Sequence, residues 1–312
     1  MRDMSRKSVF IGNFRSGTTL LVNILGLHEH LAPWYETKGF CEVLRWLRVI
    51  DNPQAFDFES RLAQPNWIPG FSADAVAARL REDFRATAAR ISGEIGSGKA
   101  SHERYPVGHD CVLYALDEAE NAVADWYERI TSPMGAANMG LAAGELIMSL
   151  GNLHAQKAGK PMWVNKTPEL PRFGSELRKT VGPCRIILMI RDGRDVVQSA
   201  SRLGWANPEE IADWWKGMIL ESRQAAQSAP DDYLEIKYEE LLEHPVDVLN
   251  RVLRFIGVEE KAGELVDRYI YLLNSLGVEA RFGERTASIK KIRDKKLTEL
   301  VDAELLEALG YL

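Results

Sequence analysis

Between an apolar run at 8–12 (SVFIG) and a helix-patterned run at 18–27 lies Gly12-Asn-Phe-Arg-Ser-Gly-Thr-Thr-Leu-Leu21, a junction with few conformations open to it. The order strand, glycine-bounded turn, then threonines opening a helix leaves free backbone N–H groups at the positive end of a helix dipole. That is an anion cradle. Thr18 and Thr19 add hydroxyls, Arg15 adds a fork-shaped cation, and Ser16 and Gly17 lie in the turn, Ser16 offering its backbone N–H. Gly12-x4-Gly17 keeps the spacing of a nucleotide-triphosphate loop, but Thr18 stands where that loop has lysine. The alternative is a plain strand–turn–helix junction. A second near-match, Gly93-Glu-Ile-Gly-Ser-Gly-Lys-Ala100, comes after a helical pattern over 74–92 instead of a strand. It reads as a helix end and connector.

The remaining composition narrows the class. With 312 residues, 46% hydrophobic and 27% charged, the chain is globular and neither disordered nor collagenous. No apolar run approaches the roughly 20 residues of a membrane span. The polar start and three scattered cysteines (Cys41, Cys111, Cys184) lead us to expect a reduced, cytoplasmic protein. A net charge of −6 disfavours nucleic-acid binding. The charge is uneven, however: residues 1–20, 178–194 and 281–296 carry +3, +4 and +5. Three basic islands in an acidic chain suggest one highly charged anionic ligand, against the alternative of ordinary solvated faces.

Further strands are expected at 161–165, 184–190 and 233–237, with helical patterns at 195–203, 246–256 and 297–309. The unbroken apolar run 184–190 suits a strand covered on both faces. Alternation of strands and helices points to an α/β fold: a P-loop-like parallel sheet flanked by helices. Leu80, Phe84 and Ile91, then Leu116, Val123, Trp126 and Ile130, then 139–155, all fall at helical spacing. Residues 40–160 therefore read as a mostly helical insertion within one domain spanning 1–312. Trp205, Trp214 and Trp215 read as helix packing.

The expected strand ends carry more chemistry. Lys166, Arg191 and Lys237 leave them, at the edge where ligands of parallel sheets gather. A magnesium-dependent nucleotide enzyme would place an aspartate there, and Asp192 comes one residue late. Cations at these ends suit an anion held without a metal.

These residues resemble the sulfotransferases that use 3′-phosphoadenosine-5′-phosphosulfate (PAPS). Arg15-Ser-Gly-Thr-Thr-Leu-Leu21 is similar to that family's 5′-phosphosulfate loop, and Arg191 with Ser199 to its 3′-phosphate motif. Residues 238–245 (YEELLEHP) and the ending Leu309-Gly-Tyr-Leu312 resemble its late strand-to-helix segment and terminus. The arginine in the loop is closer to the tyrosylprotein and carbohydrate branch. By that resemblance Glu36 is the catalytic base, Lys166 steadies the bridging oxygen, and Tyr238 contacts the cofactor. Ser288 and Lys290 fall where the family has a cofactor loop, although Thr286-Ala-Ser-Ile-Lys-Lys291 lacks its glycines and tryptophan.

The resemblance implies in-line, metal-free transfer of a sulfuryl group to a hydroxyl, or less readily an amine. The acceptor is a small molecule, carbohydrate, lipid or peptide, met by residues 40–160. Other readings of single residues stay open: Glu36 as a surface carboxylate, Lys166 paired with Glu169, and His102 or His109 as the base. His28 and His30 read as cations at a helix end. Two other functions also remain, a P-loop kinase or hydrolase and a nucleotide-binding module without catalysis.

Overall fold

The computed structural model describes residues 8–55, 72–96, 115–133, 138–259, 261–279, 282, 296 and 299–312. Five parallel strands form one sheet: β1 (Ser8–Gly12), β2 (Leu31–Tyr35), β3 (Met162–Lys166), β4 (Arg185–Ile190) and β5 (Tyr233–Lys237), in the order β2-β3-β1-β4-β5. Side chains alternate between the faces as strand geometry requires. Val9, Ile11, Val164, Ile187 and Met189 point to one side, and Phe10, Trp163 and Ile186 to the other.

The first side is covered by α1 (Thr18–Leu25) and by two late helices, Pro245–Ile256 and Ala262–Ser275. The second is covered by α2 (Lys38–Asp51), α3 (Ala73–Gly96), α4 (Leu116–Thr131) and α5 (Met139–Lys157). Their apolar faces, among them Leu44, Leu80, Val123 and Leu146, close over Trp34 and Trp163. A third cluster joins Phe14, Leu188 and Ile190 to helices Gly193–Ser201 and Pro208–Gln227 and to the closing helix, Ala303–Ala308. Among the described residues no helix is long and apolar enough to cross a membrane.

The mixed α/β architecture matches the sequence expectation, with several local differences. β2 is an addition to the expected strands. Its Pro33 lacks an N–H, which is tolerated because β2 lies at the sheet edge. Helix α3 runs on through Gly96, so the start of the glycine-rich near-match is helical; the rest of it lies outside the described residues. The closing helix expected over 297–309 is interrupted: residue 299 is helical, 300–302 are not, and Ala303–Ala308 restarts where the Asp302 side chain accepts from Leu305 N at 2.8 Å and caps it.

Candidate active site

The chain leaves β1 for β2 on one flank and leaves β4 for β5 on the other, so the loops after β1 and β4 diverge and open a crevice between them. The first loop is residues 13–17. Asn13, Arg15 and Gly17 have φ of 95°, 53° and 82°, whereas Phe14 and Ser16 do not enter the left-handed region. This alternation of hand turns successive N–H groups toward one concavity, a nest suited to an anion. Helix α1 comes next, and its N-cap is Gly17, which has no side chain to cap the first turn, so its N-terminal amides add to the same field.

Two left-handed non-glycine residues are costly, of order 1–3 kcal/mol each, and need outside support. Asn13 N donates to Pro168 O at 2.8 Å and Asn13 Nδ2 to Met189 O at 2.9 Å, which ties the loop to the ends of β3 and β4. Ser16 is buried and its hydroxyl donates to Phe14 O at 3.1 Å. Gly12 permits close packing: a Cβ there would lie 2.2 Å from the Pro171 ring.

Across the crevice, Arg191 leaves β4. Its Nη1 donates to Arg15 O at 3.0 Å, and its guanidinium lies 4.7 Å from the centre of the Tyr238 ring. Arg15 Nε donates to Ser199 Oγ at 3.0 Å. The Tyr238 ring also packs on Gly17, where an added Cβ would meet it at 2.3 Å. The loop residues Arg15, Ser16, Gly17, Thr18 and Thr19 thus converge with Arg191, Ser199 and Tyr238. Arg191 Nε is buried and has no hydrogen-bond partner among the described residues. Such a donor is costly to leave unmet and suits an incoming anion.

One strand further along, Lys166 ends β3 and Glu36 comes directly after β2. Lys166 is 3% exposed, and its Nζ donates to Glu36 Oε1 at 2.6 Å. Glu36 itself has φ +45° and its N–H donates to Lys166 O at 2.7 Å. A hydroxyl triangle braces this pair. Thr37 N donates to Thr167 Oγ1 at 2.9 Å, Thr167 Oγ1 to Asn165 Oδ1 at 2.9 Å, and Asn165 Nδ2 to Thr37 Oγ1 at 2.9 Å.

Several expectations are corrected. Lys166 pairs with Glu36; Glu169 instead binds Arg45 at 2.9 Å. His28 is buried and not at the surface, and burial lowers its pKa, which disfavours the cation expected at the end of α1. Trp205 is 47% exposed beside Arg15, 5.7 Å from its guanidinium, while Trp215 is fully buried. Most of the island at 178–194 does not face the crevice. Lys179 pairs with Asp51, Arg185 with Asp232, and Arg194 with Asp192, while Arg178 binds Ala225 O. Lys237 turns toward the Tyr311 ring, 5.1 Å away. Ser288, Lys290, His102 and His109 lie outside the described residues. Sequence reasoning missed Asn13 and the Asn165–Thr37–Thr167 triangle, for which only their nearness to the glycine loop and to Lys166 was a signal.

The family model described as "Sulfotransferase family" matches residues 9–262. The fold is similar to that of the sulfotransferase domain from the Synechococcus PCC 7002 olefin synthase, with TM-score 0.56 at 16% identity over 98% of this chain and 94% of that one. It is also similar to the sulfotransferase domain from the curacin biosynthetic pathway, with TM-score 0.53 at 14% identity over 98% of each chain. A search of curated proteins returned no match.

Proposed function

The chain belongs to the sulfotransferase family, and from that premise we propose that it transfers a sulfuryl group from PAPS to an acceptor hydroxyl. The observation that carries this reading is the linkage of Arg15, Ser199 and Arg191 across the crevice. One ligand with two separated anionic ends fits such a site, and the buried Nε of Arg191, which has no hydrogen-bond partner among the described residues, fits a phosphate oxygen.

The donor, when bound, supplies an activated sulfuryl group on a phosphate leaving group. The residues of the chain then divide the work. Loop amides from Ser16 to Thr19, the hydroxyls of Thr18 and Thr19, and Arg15 hold the 5′ end. Arg191 and Ser199 grip the 3′-phosphate, and Tyr238 backs both groups. Lys166 neutralises charge on the leaving oxygen. Glu36 takes the proton of the acceptor hydroxyl, a contribution of about 10²–10⁴-fold in such reactions.

Acceptor binding falls to the mostly helical layer of residues 40–160. Helix α2 begins two residues after Glu36, and Gly39 N of that helix donates to Asp83 of α3 at 2.8 Å, so this layer borders the Glu36 side. Thermal-shift titration tests the reading against a P-loop kinase. We expect stabilisation by 3′-phosphoadenosine-5′-phosphate (PAP) and little by ATP with Mg²⁺. The reverse order would overturn the reading.

A further inference from the structure

Tyr311 is tied to the segment that carries Arg191. Tyr311 is half-buried, and its hydroxyl donates to Glu239 Oε2 at 2.7 Å. The other oxygen of the same carboxyl, Oε1, accepts from Asp192 N at 3.1 Å. Asp192 in turn binds Arg194 through both its carboxylate oxygens, at 2.9 and 2.7 Å, and Arg194 Nη2 donates to Tyr311 O at 2.9 Å. The circuit closes on itself: Tyr311 hydroxyl, Glu239, Asp192, Arg194, Tyr311 carbonyl.

One peptide unit inside this circuit matters most. The N–H that Glu239 holds belongs to the peptide between Arg191 and Asp192. The carbonyl of that same peptide accepts from Trp215 Nε1 at 3.2 Å. The plane is therefore gripped at both edges, and it sets the direction in which the Arg191 side chain leaves the backbone. Glu239 is also the neighbour of Tyr238, whose ring stacks on the Arg191 guanidinium. Burial pushes the Glu239 carboxyl above the usual carboxylate range, and the bonds from Tyr311 and Asp192 pull it back. Leu309 is buried in the third core cluster, which anchors the tail that delivers Tyr311.

We propose that Tyr311 is a positioning residue for the 3′-phosphate site: through Glu239 it fixes the Arg191–Asp192 peptide and so aims the Arg191 guanidinium. The inference rests on the PAPS reading above. It assigns the end of the chain a part in nucleotide selectivity, beyond closing the core.

The test is calorimetry with PAP and with 5′-AMP, on wild type and Tyr311→Phe, a variant that keeps the ring and removes the hydroxyl. The expected result is a loss of about tenfold in PAP affinity with 5′-AMP affinity unchanged, the scale of one hydrogen bond to a charged group. An unchanged ratio of the two affinities, including a parallel loss of both, overturns the inference. If Tyr311→Phe does not fold, Glu239→Gln and Glu239→Ala make the same comparison. The amide can serve both partners, so Glu239→Gln should keep more of the PAP preference than Glu239→Ala, and equal ratios overturn the inference. A wild type with no preference for PAP overturns the PAPS reading itself, an outcome distinct from preference retained in Tyr311→Phe.

Discussion

Lys166 Nζ and Glu36 Oε1 lie 2.6 Å apart although 130 residues separate them in the chain. The parallel pairing of β2 with β3 brings them together, with Tyr35 opposite Lys166 in register. The lysine is almost wholly buried and the glutamate is mostly shielded, with 19% of its side chain exposed. The proposed base therefore has one open side, and the proposed leaving-group cation stands against the other.

Glu36→Gln keeps an oxygen that can accept from Lys166 and removes the base. Turnover should fall by about two orders of magnitude with PAP affinity close to wild type, while thermal stability falls because the buried Lys166 loses its counter-charge. Steady-state kinetics beside calorimetry checks this. Near-normal turnover would move the base elsewhere.

Gly17→Ala should abolish nucleotide binding and destabilise the fold. The residue has φ +82° and the Tyr238 ring stands 2.3 Å from where a Cβ would go. Left-handed strain in a non-glycine residue costs about 1–2 kcal/mol, and displacing Tyr238 would also disturb the stack on Arg191. Urea unfolding and PAP titration read the two effects separately. A variant that binds PAP normally would contradict the described loop geometry.

β4 was legible in the sequence as the unbroken apolar run of a strand covered on both faces, and β1, β3 and β5 as short runs rich in apolar residues, β5 being a half-buried strand at the sheet edge. β2 was not, since Leu31–Tyr35 contains Pro33, and only its edge position makes that residue harmless. The turn after β1 was legible from its glycines and threonines, and Arg191 and Ser199, singled out by their spacing, do lie against it. Pairings across the fold were not. Sequence gives no sign that Arg185 is matched by Asp232 or Lys179 by Asp51, so charge islands overstate the cations available to a ligand. The circuit through Tyr311 escaped for the same reason.

His154 gives a pH prediction. It is 1% exposed, its Nε2 donates to Pro33 O at 2.9 Å, and its ring stacks on Trp34. Burial lowers its pKa from 6.5 to about 4. The unfolded chain thus binds a proton that the folded chain refuses, so the stability is full above pH 6.5 and is lost as pH falls through 4. The loss amounts to roughly 3 kcal/mol from this group. Urea midpoints measured from pH 7 to pH 4 should decline in wild type and decline less steeply in His154→Phe. Parallel declines would remove His154 as the source.

Arg191→Ala provides the decisive comparison. Isothermal calorimetry of PAP and of 5′-AMP, on wild type and on this variant, isolates the 3′-phosphate. Wild type should bind PAP far more tightly than 5′-AMP, and the variant should bind the two alike. Equal affinities in wild type, or a preference that survives the loss of the guanidinium, would contradict the account.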